Sequence, residues 1–274
     1  MSVSEKIYDR EFDASSDEVA ACADFIAIIR QLRRDCPWDR EQTHSSVRHL
    51  LIEEAYETVE AIESEDWDEL KRELGDLFLH VVFHSAIAEQ SGTFTFQDVV
   101  QQEIEKLVRR HPHVFGDVVT DNVETVLSNW EQIKSGEKPD RSVLSGVPHT
   151  LPGLLRAYRI QEKAAGVGFD FPGPEEAWGK VEEEISEYRT SVATEAPMEE
   201  LEHELGDMLF ALVNHARLEK IDPESALRRS NDRFLRRFAH IESRLDESGL
   251  RFADVTIEQM DAWWEEAKRL EREC

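Results

Sequence analysis

Residues 53–76 read EEAYETVEAIESEDWDELKRELGD, and residues 183–207 read EEISEYRTSVATEAPMEELEHELGD. Each stretch opens on paired glutamates, places another glutamate three residues after the second of them, and closes on ELGD. The opening blocks are 130 residues apart and the ELGD copies 131 apart. Further blocks keep the same order: PWD (37–39) with GFD (168–170), KLVRR (106–110) with RFLRR (233–237), and WEQIK (130–134) with WEEAK (264–268). Blocks recurring in one order at a nearly constant offset are the mark of an internal repeat, so the chain reads as a tandem duplication.

The repeated unit is helical. Apolar residues recur at three- and four-residue steps rather than alternating. This periodicity predicts an all-α chain with helices near 17–34, 43–63, 66–90, 97–110, 122–135, 153–164, 174–191, 198–219, 223–247 and 256–271. The Gly-, Pro- and Ser-bearing stretch SGEKPDRSVLSGVPHTLPG (135–153) is the natural break. The expected division is a first repeat over 17–135, a linker over 136–152 and a second repeat over 153–274.

Helix geometry then says what the repeated acids do. Glu57 and Glu73 stand eight residues on either side of Glu65, where the first pair of helices breaks. At 1.5 Å per residue each lies about 12 Å from the turn, so an antiparallel pair sets them opposite one another. Glu187 and Glu204 flank the break near Ala196 and Pro197 in the same way. Glu54 with Glu57, and Glu73 with Asp76, are three apart and share a face; Glu184 with Glu187, and Glu204 with Asp207, repeat the pattern. No basic partner at helical spacing is kept in both copies, although the acids are. The following runs, LGDLFLHVVFHSAIA and LGDMLFALVNHA, are apolar nearly all round, which puts these carboxylates in or beside a core. Carboxylates there are costly without compensation, and a bound cation supplies it. Carboxylate oxygens without Cys or an obvious His point to a hard cation, Mg²⁺ or alternatively Mn²⁺, and hence to phosphoester or phosphoanhydride chemistry. Basic clusters at i, i+3 and i+4 fit that chemistry: Lys106, Arg109 and Arg110 in the first repeat, Arg233, Arg236 and Arg237 in the second.

Composition narrows the field. The formal charge of −27 argues against a partner held through its phosphate backbone, so no nucleic acid is expected. It fits a high-salt cytoplasm, a soluble surface or cation sites alike. Three cysteines without a CxxC pair indicate a reducing compartment, and no apolar run reaches the length of a membrane span. The N-terminal stretch has no apolar signal region, which leaves the cytoplasm as the expected location.

The ordered set of EExxE, ExxD, CPWDREQT, ELGDLFLHVVFH, KLVRRHPHVFGD, NWEQIK and VGFDF resembles the MazG family of all-α nucleoside triphosphate pyrophosphohydrolases, from about residue 20 to the C-terminus. The resemblance implies Mg²⁺-dependent hydrolysis of an NTP or dNTP to the monophosphate and pyrophosphate by a homodimer of helical subunits. Carried over, the metal ligands are Glu54, Glu57, Glu73 and Asp76, and Glu184, Glu187, Glu204 and Asp207. Glu53 and Glu183 become the general base or an outer ligand. Lys180, Arg233, Arg236, Arg237 and Lys268 neutralise phosphate charge, and Trp264 stacks on a base or fixes the last helix. Arg233 stands where the family pattern has Lys. The second repeat is the preferred catalytic one, because Lys180 lies one turn before Glu183 whereas the aligned residue in the first is Leu50. The first repeat is then a second active site, a regulatory nucleotide site or a dimerisation scaffold. Other readings are a narrower dUTP- or phosphoribosyl-ATP-type enzyme and a non-catalytic nucleotide- or metal-binding regulator. His80 and His84, at a spacing that can hold zinc, read as core or interface residues, and Trp38, Trp67, Trp178 and Trp263 as packing residues.

Overall fold

A computed structural model of the protein describes residues 16–116, 142–273 and positions 118, 120, 122, 125, 126 and 133. The expected helix at 122–135, the WEQIK block and residues 136–141 of the expected linker therefore lie largely or wholly outside the described residues. All regular elements among the described residues are helical. The chain divides into two compact units, Met1–Glu137 and Lys138–Cys274.

In the first unit, α1 (Asp17–Asp35) leads through the short α2 (Pro37–Glu41) to α3 (His44–Glu63). Next come α4 (Trp67–Ser91), α5 (Phe96–Arg110) and the one-turn α6 (Pro112–Phe115). Helices α3 and α4 form the antiparallel hairpin expected from the acids, and α1 packs on α4. The core gathers Ile29, Val47, Val82, Phe83, Ala86 and Ile87, with Phe25 stacked on Phe78 at its edge. Capping fixes where α3 begins. Thr43 Oγ1 accepts from the Ser46 amide at 3.2 Å and Ser46 Oγ accepts from the Thr43 amide at 2.9 Å, a reciprocal box. Helix α2 escapes a periodicity reading because five residues make barely more than one turn; Pro37 at its first position is the only sequence signal for it.

The second unit repeats the plan. Helices α8 (Pro174–Ala193) and α9 (Met198–Leu218) form its hairpin, and α7 (Gly153–Ala165) packs on α9 as α1 does on α4. Helix α10 (Pro223–Ser248) packs against α7, α9 and α11 (Ile257–Glu273). Val181, Val213, Ile241 and Leu245 are buried at its centre. From residue 142 the segment before α7 is a series of turns, and Lys163 Nζ donates to Ser145 O at 2.6 Å.

The hairpin turns carry the repeat into the backbone itself. Glu65 (φ 57°) and Glu195 (φ 54°) both take the left-handed conformation, 130 residues apart, although the flanking sequences differ. A residue with a Cβ is strained there by roughly 1–2 kcal/mol, part of which glycine gives back as chain entropy. Glu195→Gly is therefore expected to raise unfolding stability by about 0.5–1 kcal/mol, measured as a higher urea midpoint at unchanged slope.

Three histidines, His44, His80 and His84, adjoin one another in the first hairpin. His80 is buried, and His44 Nδ1 lies 2.8 Å from His84 Nδ1 with the ring planes nearly parallel, so one nitrogen donates and the other accepts. Burial lowers the pKa of His80, with Asp76 opposing; burial, then His44 and His80, lower that of His84. Native His80 and His84 thus stay neutral where the unfolded chain takes up protons, and stability present above about pH 6.5 is lost as the pH falls. The histidine contribution is read as a difference between proteins: relative to wild type, His84→Leu should lose less stability, or gain more, as the pH falls from 7 to 5, measured from denaturation midpoints. Among the described residues no helix is long and apolar enough to cross a membrane.

Candidate active site

Helices α3 and α4 bring Glu54, Glu57 and Glu73 together, with one oxygen from each lying within 4.8 Å of the others. Helices α8 and α9 do the same with Glu184, Glu187 and Glu204. The reason is the one read from spacing: ligands at equal distance from a tight turn meet across an antiparallel pair. In each set one member is buried, Glu73 at 6% exposure and Glu184 at 5%; Glu54 and Glu204 are half-buried, and Glu57 and Glu187 are exposed.

The first set is electrostatically uncompensated. Burial, followed by the charges of Asp76, Glu57 and Glu73, pushes the Glu54 carboxyl up to about 7. Glu57 is raised as well, by desolvation first and then by Glu73 and Glu53. The cation that could have answered Asp76 from one turn away, Arg72, pairs instead with Glu69. Such a set fits a divalent cation: three acceptor oxygens converge, and among the described residues no ammonium or guanidinium forms an ion pair with them.

The second set carries its own cation. Lys180 Nζ lies 2.6 Å from Glu184 Oε1 and 2.9 Å from Glu183 Oε1, which raises the lysine pKa. Glu187 is raised by desolvation and Glu184, with Lys180 opposing. At the Lys180 position the first repeat has Leu50, packed against the core cluster. The aligned carboxylate sets thus differ in one substitution that decides whether the resting site is neutralised from within.

The remaining expected residues fall around these sets. Asp76 acts on Glu54 and His80 through its charge but lies outside the three-residue set; Asp207 lies 3.3 Å from His203 Nδ1 and is likewise outside its set. Glu53 and Glu183 are exposed beside their sets. Lys180 is the predicted cation whose ion pairs are with the carboxylate set itself. Arg237 pairs with Glu271 at 2.7 Å and stands 5.5 Å from the Trp264 ring centroid, Arg236 is 3.9 Å from Glu271, and Lys268 is 2.6 Å from Glu265. The charge of Arg233 also bears on Glu271. Trp264 packs on Phe234 at 5.1 Å between centroids. Sequence spacing placed these cations on one helix face; it gave no sign of the acid that α11 sets against them.

Two features departed from the reading of single residues. Trp38 and Trp67 are not packed: they are 59% and 65% exposed. Trp38 rides on α2, outside the core, and Trp67 stands at the first position of α4, where the helix leaves the hairpin turn. The buried arginine Arg33 was also missed. It donates to Gln42 O at 3.1 Å, to Gln90 Oε1 at 2.6 Å and to Asp39 O. Partners 6 to 57 residues away leave no local pattern to read.

Comparison with known proteins bears on the same elements. The family model described as MazG nucleotide pyrophosphohydrolase domain matches residues 42–115, spanning α3 to α6, and again 173–241, spanning α8, α9 and most of α10. The nucleoside triphosphate pyrophosphohydrolase/pyrophosphatase MazG of Thermotoga maritima is 43% identical over 249 residues, covering 89% of this chain and 94% of that protein. The nucleoside triphosphate pyrophosphohydrolase of Escherichia coli K12 is 41% identical over 256 residues, covering 90% and 96%. The uncharacterized protein YabN of Bacillus subtilis is 50% identical over 253 residues; that match covers 90% of this chain and 52% of YabN, so the chain spans about half the length of that relative. With both hairpins inside a family match and whole-length relatives of the same kind, the chain belongs to the MazG family and carries its domain twice.

Proposed function

We propose that the protein hydrolyses nucleoside triphosphates, NTP or dNTP, to the monophosphate and pyrophosphate, with Mg²⁺ held by the hairpin carboxylates. The observation that carries this reading is the convergence of three carboxylates in each of two aligned hairpins of a MazG chain. Glu184, Glu187 and Glu204, with Asp207 beside them, are the ligands in the second repeat, and Glu54, Glu57, Glu73 and Asp76 those in the first. A bound Mg²⁺ supplies neutralisation of the triphosphate and a water of lowered pKa. Glu183 and Glu53 are assigned to take the proton of the water that attacks the α-phosphorus, and pyrophosphate leaves. Lys180 exchanges its contact with Glu184 for a phosphate oxygen. Arg233, Arg236, Arg237 and Lys268 form the outer basic surface for the leaving group, next to Trp264.

The second repeat is assigned the main reaction because Lys180 is poised beside its ligands, where the first repeat has Leu50. A homodimer belongs to the same reading: the leucine of ELGD is 52% exposed at Leu74 and 40% at Leu205, so a face of each hairpin is free for another helix. The cellular role that fits is removal of surplus or non-standard nucleotides in the cytoplasm. Pyrophosphate release measured over the common NTPs, dNTPs, dUTP and phosphoribosyl-ATP tests the reading. Turnover of several nucleotides is expected; turnover of one alone would replace it with a narrow enzyme, and none with a binding protein.

A further inference from the structure

The segments aligned as PWD and GFD precede the carboxylate helices in both repeats, and each exposes an aromatic ring: Trp38 at 59% and Phe169 at 81%. Both of these segments are tied down by an arginine. In the first repeat Arg33, 4% exposed, binds the carbonyls of Asp39 and Gln42, and its guanidinium carbon lies 5.2 Å from the Phe83 ring centroid. In the second, the Arg217 side chain is 11% exposed and donates to Asp170 Oδ1. Asn214 Oδ1 accepts from Arg217 Nε at 3.1 Å and from Nη2 at 2.8 Å, and Asp170 Oδ1 also accepts from the Phe171 amide at 2.8 Å. Two residues earlier on the same helix, His215 Nδ1 donates to Pro174 O at 3.0 Å and meets the edge of Trp178. Helix α9 therefore clamps the loop at residues 170 and 174.

The arginines are not inherited from one ancestor position. At the 131-residue offset Arg33 aligns with Ala164 and Arg217 with Ala86. One arginine comes from the helix before the loop and the other from a helix after it, so the repeats reach the same outcome by different residues. What the two share is a segment tied by an arginine, a short helix in the first repeat and a loop in the second, that offers a ring to solvent shortly before the helix bearing the carboxylates.

We propose that Arg217 is a positioning residue: through Asp170 it holds residues 166–173 so that Phe169 presents its face to the nucleobase of the nucleoside triphosphate bound at α8. The proposal rests on the function proposed above and names the part of the substrate this loop reads. The dimensions agree. Lys180 is six residues and Glu184 ten residues into α8 from Pro174, about 9 and 15 Å along the axis, which sets a ring at the helix start and phosphates farther along. An aromatic platform tolerates any base, because every base has a π face, and a ring fixed before binding loses less freedom on binding.

Arg217→Met, Arg217→Lys, Phe169→Ala and the Arg217→Met/Phe169→Ala pair separate the outcomes. The readouts are KM and kcat for ATP, GTP, CTP and UTP, inhibition by inorganic tripolyphosphate, and thermal midpoints. Stacking worth 1–3 kcal/mol per base corresponds to a KM rise of about 5- to 150-fold in Arg217→Met and in Phe169→Ala. We expect kcat within about twofold, tripolyphosphate inhibition unchanged, the double variant no worse than either single one, and partial recovery in Arg217→Lys. Unchanged nucleotide KM in a folded Arg217→Met, an equal loss toward tripolyphosphate, or additive effects in the pair would overturn the proposal while wild-type turnover left the function standing. Absence of wild-type pyrophosphate release would instead remove the function on which it rests.

Discussion

Replacing Glu187 with Ala is expected to lower pyrophosphate release by about 100-fold or more, while Glu57→Ala leaves most of it. Even outer partners of a bound metal cost 10- to 100-fold when removed, and a direct ligand costs at least that. Glu187 shares its set with the buried Glu184 and with Glu204, and Lys180 stands beside it. The first set has the same three acids without the lysine, so it can hold a cation but lacks the ammonium for a phosphate oxygen. Steady-state rates of Glu57→Ala, Glu187→Ala and the double variant check this. A loss confined to Glu57→Ala would move the main reaction to the first repeat, and equal partial losses would divide it between the two.

The second large effect is a pH-dependent response of stability to Mg²⁺. The Glu54 carboxyl, pushed up to about 7 in the folded chain from an ordinary value of 4.5, binds its proton more tightly in the native state than in the unfolded one. Its contribution therefore favours folding at low pH and is lost as the pH rises from about 4.5 through 7. After a discount for partial exposure the loss is on the order of 1–2 kcal/mol. A divalent cation reverses it by favouring the ionised form. Mg²⁺ should then raise the thermal midpoint by several degrees at pH 8 and hardly at all at pH 5. Glu54→Gln should remove most of the pH dependence of that response, whereas Lys180→Met should enlarge the contribution of the second set, which then lacks its own cation. A Mg²⁺ shift of equal size at both pH values would contradict this account of the first set.

The fold was legible because duplication wrote the same instructions twice. Glu57 and Glu73, and Glu187 and Glu204, are spaced about turns whose sequences differ, and that symmetry alone predicts antiparallel hairpins with facing acids. The structure adds that three acids of each set meet closely while Asp76 and Asp207 stand outside. A repeat of i, i+3 could not rank them, because both members share the face and only the depth of the partner helix decides. What sequence could not give were contacts made by long side chains across the fold. Arg217 reaches Asp170 over 47 residues, and Glu271 reaches Arg237 over 34. Such pairs obey no helical period, so the same arginines read as phosphate binders, ion-pair partners or loop clamps until the packing is known. Trp38 misled for a related reason: a tryptophan is an apolar residue by composition, and its exposure is settled by a five-residue helix too short to have a period.

The central claim is that these carboxylates serve cleavage between the α- and β-phosphates. It is tested most directly by ³¹P NMR of products formed from a nucleoside triphosphate in H₂¹⁸O, with Mg²⁺ and with EDTA. The account predicts monophosphate and pyrophosphate in equal amounts, the isotope on the monophosphate, and no products in EDTA. Diphosphate and inorganic phosphate, or label on the pyrophosphate, would contradict it.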